Sequence, residues 1–444
     1  MEERILELIE NNNFKELKKY LNSLDEIDLA EIFDDMELAK VAKLFRLLSK
    51  DKALDVFAEL EPSVASDLLK YLSDKEAVFL IDEMAADDAT DILEEMPANL
   101  VDKLLKMCSA STRKDVNRLL NYQEDSAGSI MTVEYAELKE DYTVKEAIDI
   151  LKEKQDEFET INICYVVDKR RKLVGKVYIK DLLFAKKTQF IGDICDRDIE
   201  FANTWTDQEE VANLFQKYDI TVLPIVDSEE RLVGIVTIDD VMDVVEAEAT
   251  EDMKKMAAII PIDKPYDKTG VFETFKARVP WLLLLMVSAT FTGKIITSFE
   301  DSLAVMPVLT AFIPMLMDTG GNAGGQSSVS IIRALSLNDI EFKDLAKVIW
   351  KEFRVAILCA LVLAVCNYGK LLLIDRVTPI VALVVCLTLL ATVVIAKFIG
   401  CTLPMIAKKI GFDPAVMASP FITTIVDACS LLMYFFIATS ILQI

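Results

Sequence analysis

Asp427 is the only charged residue between Pro414 and Gln443, a run of thirty residues. A carboxylate at membrane depth costs roughly 2.5–3.5 kcal/mol when it faces lipid. It should therefore face a partner, a water-filled cavity or an ion. An ion path is the functional chemistry; a proton relay and an interhelical hydrogen bond are the plainer readings. Thr423 and Thr424 lie about one turn earlier and could line the same path.

A second constellation runs from Pro314 to Ser328 and holds four of the thirteen glycines, Gly320, Gly321, Gly324 and Gly325. Polar, glycine-rich backbone at membrane depth is tolerated only when buried in protein or facing water. Asp318, Asn322 and Gln326 recur every four residues, which places them in one stripe on a helix face. That stripe fits a pore lining that offers oxygens to a cation. Close helix packing through small residues is the competing reading. Asp413-Pro414 opens the last apolar run. Asp413 serves either as a helix cap or as a carboxylate at the pore mouth, and the two roles are compatible.

The metal chemistry is bounded by composition. There is no histidine, so the commonest transition-metal ligand and the commonest general base are both missing. The eight cysteines form no CxxC pair, and several lie in apolar runs. They read as small apolar residues in a reducing compartment. A bound metal would be held mainly by oxygen, which suits Mg²⁺, Ca²⁺ or Mn²⁺. No nucleophile motif or P-loop is present, so an enzyme is not expected.

Five apolar runs supply the elements, each about 20 residues long. They are Trp281 to Phe299, a run from near Leu303 through the glycine-rich stretch, Val355 to Ile374, Val377 to Ala396, and Pro414 to Gln443. Lys294 and Lys370 lie inside two of them and would snorkel to an interface or line an aqueous path. The basic residues Lys276, Arg278, Arg333, Lys343, Lys347, Lys351, Arg354, Lys397, Lys408 and Lys409 all fall on one side of such a bundle. The N-terminus is then cytoplasmic and the C-terminus outside, in a cell (inner) membrane. Met1 to Glu10 is charged and no apolar segment follows it, so no signal peptide is expected.

The chain's charge of −25 is unevenly placed: residues 1–260 carry a net −27 and residues 261–444 a net +2. The acidic part should repel nucleic acid and attract cations. Residues 1–125 read as short amphipathic helices with a weak repeat, and hence a solenoid-like stack. Residues 126–246 contain a duplication at an offset of 59. Ile163-Cys-Tyr-Val-Val-Asp168 and Lys172-Leu-Val-Gly175 match Val222-Leu-Pro-Ile-Val-Asp227 and Arg231-Leu-Val-Gly234. This resembles a tandem CBS-domain pair. Its Gly-x-x-Thr-x-x-Asp signature is intact only in the second copy, at Gly234, Thr237 and Asp240; the first copy has Tyr178 in place of Thr. Such pairs often bind adenine nucleotides, so ATP is a candidate ligand, with Asp181, Thr237 and Asp240 as its residues. Residues 247–272 read as a connecting helix and 273–444 as a five-helix pore domain. The stretch from Asp239 to Asp252 repeats carboxylates at three- and four-residue spacing. Like charges so placed destabilise a helix unless water or cations screen them.

Pro314-x-x-x-Asp318-x-Gly-Gly-Asn322-Ala-Gly-x-Gln326 and Asp413-Pro-Ala-x-x-x-x-Pro420-Phe-x-Thr-Thr-x-x-Asp427 together resemble the MgtE-type magnesium channels over nearly the whole chain. The resemblance implies a multidomain membrane protein: an α-helical superhelical N domain, an α+β CBS pair, a connecting helix and an all-α five-span transmembrane domain. It implies a homodimer in the bilayer, with Mg²⁺ as both substrate and regulator. It implies a hydrated Mg²⁺ at Asp427, helped by Asn322, and pore closure by Mg²⁺ bound to the soluble part. The matching regulatory positions are Asp88, Asp91, Asp207, Glu209, Asp219, Asp240, Asp243, Glu248, Glu251 and Asp252. A channel for another divalent cation, Co²⁺ or Mn²⁺, is the runner-up. A membrane-anchored CBS nucleotide sensor is the alternative from a different class.

Overall fold

The computed structural model describes every residue except Asp263, Pro265, Asp267, Ala418 and Ile444, and all side chains of the remainder except those of Asp156 and Ser419. It divides into two compact units, Met1–Val245 and Glu246–Ile444.

The first unit begins with short helices: α1 (Glu2–Glu10), α2 (Phe14–Leu21), α3 (Glu26–Asp34), α4 (Leu38–Phe45), α5 (Lys50–Ala58), α6 (Pro62–Leu69), α7 (Asp74–Glu83), α8 (Ala86–Glu94), α9 (Ala98–Met107) and α10 (Ala110–Leu119). Each is too short to be stable alone in water. Packing of alternate helices, α3 on α5 on α7 on α9 and α4 on α6 on α8, makes the expected superhelical stack. One continuous core from Ile5 to Val116 runs through it. Pro62 opens α6, and Pro97 caps α9.

Two matching α+β modules follow. The first holds β1 (Tyr135–Lys139), α11 (Val144–Glu153), β2 (Thr160–Val167), β3 (Leu173–Tyr178), α12 (Ile179–Phe184) and α13 (Ile191–Ile194). The second holds β4 (Ala202–Asn203), α14 (Gln208–Tyr218), β5 (Val222–Val226), β6 (Leu232–Thr237) and α15 (Ile238–Met256). In each sheet the first pair is parallel and the second antiparallel. The duplicated sequence even keeps its register, with Ile163 opposite Tyr178 and Val222 opposite Thr237. The sequence pattern puts the connecting helix at 247–272. In the structure it starts earlier, at Ile238 inside the second module, where the Thr237 amide and hydroxyl donate to Asp240, and it ends at Met256.

The membrane unit holds α16 (Val271–Ser298), α17 (Glu300–Val305), α18 (Ile313–Ser336), α19 (Leu345–Leu373), α20 (Pro379–Lys409) and α21 (Ser419–Leu442). Among the described residues, four helical segments are long and apolar enough to cross a bilayer: Val271–Ser298, Phe342–Leu373, Pro379–Lys409 and Pro414–Leu442. The 24-residue α18 is the fifth long helix, and its glycine-rich polar stretch keeps it below that apolar standard. α18 packs on both α20 and α21, α19 packs on α20, and α16 packs on α21. Several helices reach further than the apolar runs. α19 begins at Leu345 and α20 continues to Lys409, because backbone hydrogen bonding does not stop at the edge of an apolar stretch. Lys370 reaches Asp375 at 3.0 Å in the following loop, the snorkelling arrangement.

Candidate functional site

Two opposite faces of α18 carry the two competing readings. Its glycines face inward. A Cβ on Gly320 would lie 2.8 Å from Thr392 and 2.9 Å from Val426; one on Gly321 would lie 2.9 Å from Thr423. Gly324 likewise meets Ile422, at 2.9 Å. Small residues therefore let α20 and α21 approach closely, as the packing reading requires. Asp318, Asn322 and Gln326 lie on the exposed face. They line a cavity of about 550 Å³, together with Thr319 and residues of α19 and α20 that include Leu358, Val393 and Lys397.

Asp427 is half-buried on α21, with Asp318 as its charged neighbour. Its Oδ1 is buried and has no hydrogen-bond partner among the described residues. The same holds for the hydroxyls of Ser328, Thr392 and Ser430. A buried polar atom left unpaired costs about 1–3 kcal/mol, more when charged, so these oxygens call for water or a cation. Thr392 and Ser430 both crowd Gly320. Sequence reasoning missed these two, whereas Ser328 ends the polar stretch it had singled out. The available signal was a hydroxyl inside an apolar span, which is weak because such hydroxyls usually bond back along their own helix, as Thr388 does to Val384. Thr424 also bonds back, to Pro420 at 3.1 Å, and Thr423 packs against Gly321.

Asp413 lies elsewhere. It caps the turn Pro414–Met417 through the Ala415 amide at 2.7 Å. It also pairs with Lys255 at 2.7 Å, and Lys255 pairs with Glu251 at 2.8 Å. Partial burial works against the Lys255 charge, but the hydrogen bonds to Asp413 and Glu251 outweigh it and raise its pKa. Met256, next along α15, packs on Ile332 of α18 and on Ala415. The connecting helix thus touches the end of the helix that carries the polar stripe.

A buried ion pair also joins the helices around the cavity. Lys397 on α20 lies 3.6 Å from Glu352 on α19, with side chains only 7% and 13% exposed, and Ser327 on α18 donates to the same carboxylate. Removing one member of a buried pair strands the other charge, at about 3–5 kcal/mol. Lys397→Met should therefore lower thermal stability in detergent, and adding Glu352→Gln should restore most of it. Equal losses in the single and double variants would show that the pair is not what holds these helices.

In the first unit, Asp87, Asp88 and Asp91 of α8 gather with Glu134, Glu159 and Asp240. Crowding strips water from Asp88 and pushes it up to about 7, with the charges of Asp87, Asp91 and Asp240 adding to the effect. Asp91 rises to about 7 by the same order of causes, loss of water and then Asp87, Glu94 and Asp240. Glu134 reaches about 7, from loss of water and then Asp87. Asp240 reaches about 6 through loss of water, although Thr237 donates to it at 2.5 Å. Asp87 is raised mainly by burial, and its Oδ1 has no partner among the described residues. Among the described residues, no three carboxylates or thiols already converge as a metal cage.

The other regulatory positions separate. Asp207 caps α14 through the Glu209 amide at 2.9 Å, and Asp219 closes its far end in a left-handed conformation. At 1.5 Å per residue the two ends lie about 18 Å apart, so one ion cannot join Asp219 to Asp207 within one chain. Asp243, Glu248, Glu251 and Asp252 follow along α15. The nucleotide residues separate as well. Thr237 and Asp240 are bound to each other, and Asp240 also belongs to the acidic cluster. A separate cleft of about 440 Å³ opens beside the first copy, lined by Lys176, Tyr178 and Tyr218 and by the carboxylates of Asp198, Glu200 and Asp219, among others. Asp181 lies in the first turn of α12, whose N-cap is Tyr178.

The fold and these sites define a multi-pass membrane protein with an N-terminal helical domain and a CBS pair. The chain belongs to the MgtE family. The model of the MgtE intracellular N domain matches residues 24–125, that of the CBS domain residues 127–187 and 191–247, and that of the MgtE divalent cation transporter residues 313–437. The magnesium transporter MgtE of Thermus thermophilus is 39% identical over 77% of this chain and 75% of its own length. The Bacillus subtilis protein of the same name is 34% identical over 99% of this chain and 97% of its own. The crystal structure of the cytosolic domain of the Mg²⁺ channel MgtE in complex with ATP aligns with a TM-score of 0.52 and 35% identity, over 55% of this chain and all of that one. The soluble part of a magnesium transporter aligns with a TM-score of 0.50 and 29% identity, over 56% of this chain and 98% of that one.

Proposed function

We propose that the chain conducts Mg²⁺ passively across the membrane and closes when Mg²⁺ binds its acidic soluble part. The observation that carries the reading is the unpartnered, buried carboxylate oxygen of Asp427 inside the helix bundle. Mg²⁺ gives up its waters reluctantly, so a site with one carboxylate and many hydroxyl and backbone oxygens can grip the hydrated ion and still release it. The exposed stripe of Asp318, Asn322 and Gln326 cannot remain in lipid. A second copy of the chain covers it in this reading, and the path runs along the dimer axis with the C-terminus outside. The acidic cluster supplies the sensor: its carboxylates repel one another until a cation joins them, and the cation selects the compact state by binding it better.

The direct test is Mg²⁺ influx into liposomes, with Mg²⁺ varied on the side of the soluble part and Co²⁺ and Mn²⁺ added as competitors. Influx that falls as that Mg²⁺ reaches millimolar levels supports both halves of the proposal. Faster Co²⁺ or Mn²⁺ entry would move the assignment to that ion. Binding of ATP at the Lys176–Tyr178 cleft without any flux would favour the anchored sensor.

Lys255 makes a narrower case. Its ammonium already occupies the space between Glu251 and Asp413, two carboxylates of the proposed gate. Lys255→Met leaves them unneutralised and more attractive to a divalent cation. The Mg²⁺ concentration that halves influx should fall about threefold, the scale of one partly exposed ion pair. A higher closing concentration would show instead that Lys255 itself holds the gate shut.

A further inference from the structure

A groove of about 660 Å³ opens on the membrane unit between α19 and α20. Its walls are almost wholly apolar: Ala346, Ile349, Trp350 and Phe353 from α19 face Val394 and Phe398 from α20, among others. Trp350 and Phe353 stack at 5.9 Å and form one wall, and both are exposed. The rim is of different chemistry. Lys347, Lys351 and Arg354 are all exposed in the same two turns of α19. Arg354 lies 5.8 Å from the Trp350 ring centre. The acidic residue of those turns, Glu352, is drawn into the bundle by Lys397 and Ser327 and leaves the rim positive.

We infer that this groove is a binding site for an anionic phospholipid of the cytosolic leaflet. One acyl chain lies along the aromatic wall, and the phosphate meets Arg354 and Lys351. Three observations select that occupant. The basic rim sits at the end of α19 that the distribution of lysine and arginine assigns to the cytosol, where anionic lipids concentrate. Tryptophan stands at that depth, where its ring prefers the interface. Charge and apolar surface adjoin, because the Arg354 guanidinium lies over the ring of Trp350, which is itself a wall of the groove. A neutral lipid would fill the groove but leave the three cations unanswered.

Trp350 is itself the reporter. The chain has two other tryptophans, Trp205 and Trp281. The full-length protein with both changed to Phe is placed in phosphatidylcholine bilayers that contain a small, fixed fraction of lipid with brominated chains. Brominated phosphatidylglycerol should quench Trp350 well above brominated phosphatidylcholine at the same fraction. Arg354→Gln and Lys351→Gln should each reduce that preference by roughly fivefold. Ala346→Phe narrows the groove, keeps every charge and should abolish the preference. Equal quenching by the two lipids, or a preference that survives both Gln substitutions, overturns the site. Absence of quenching by either lipid also overturns it, because a second copy of the chain or another segment then covers the groove.

Discussion

Asp427→Ala should reduce Mg²⁺ influx through reconstituted protein by at least about a hundredfold while leaving the protein folded. The expected loss follows from position. Asp427 is the only full charge in its helix, and it is not neutralised by any described basic residue. A cation that passes this level of the bundle has one carboxylate ligand on α21 and the weaker dipoles of Thr392 and Ser430, which crowd Gly320 beside Val426. Removing the carboxylate removes the charge term at a low-dielectric position, where it is largest. Two or three kcal/mol are enough, since each 1.36 kcal/mol is tenfold in rate. Asp427→Asn keeps the shape and one oxygen, so it separates charge from packing. We expect Asn to lose nearly as much influx as Ala, with thermal stability equal to or above that of the parent, because it removes an unpaired buried charge. Asp427→Glu should retain partial flux. Wild-type flux in the Asn variant, measured with a Mg²⁺-sensitive dye inside the liposomes, would remove Asp427 from the path. Loss of flux only in variants that also unfold would reduce it to a structural residue.

The stripe and the glycines show what a local pattern can carry. A four-residue spacing is a helix-face statement, so Asp318, Asn322 and Gln326 were legible as one face from their spacing alone. The structure places that face outward and the glycines inward, so the pore and packing readings each own one side of α18. The duplicated segments were legible for the same reason. An offset of 59 that preserves strand and turn residues preserves strand register too. Pairings across the chain were not legible. Nothing local to Glu352 names Lys397, and nothing near Lys255 names Asp413. The nucleotide residues illustrate the same limit. The intact signature named Thr237 and Asp240 and its local hydrogen bond is a helix cap, while the acidic cluster that α8 assembles around the same carboxylate has no local signal. Burial and long-range neighbours decide what a carboxylate does, and neither is written in its immediate sequence.

That cluster makes the second large prediction. Asp88 and Asp91 stand near 7 in the folded chain, and the ordinary value for an unfolded aspartate is about 3.9. A carboxylate raised on folding binds more protons in the folded state. Its contribution to stability is therefore present at low pH and is lost as pH rises between about 4 and 7. Without divalent cations, the unit Met1–Val245 should melt at a higher temperature at pH 5.5 than at pH 8, by several degrees. Millimolar Mg²⁺ should recover the loss at pH 8 and do little at pH 5.5, where protons already neutralise the cluster. Differential scanning fluorimetry of the full-length chain reads both effects. The combined Asp88→Asn, Asp91→Asn and Asp240→Asn variant should lose most of the response to Mg²⁺ and keep only a smaller pH response, because Asp87 and Glu134 remain raised in the folded chain. In liposomes the same variant should conduct at cytosolic Mg²⁺ levels that close the parent, a change of tenfold or more in residual influx at a few millimolar. The two readouts are linked by one cause: a cation can favour the compact state only by as much as the carboxylates oppose it in its absence. A variant that loses the thermal response to Mg²⁺ but still closes normally would break that link and place the regulatory ion elsewhere, at the Glu251–Asp413 end of the connecting helix.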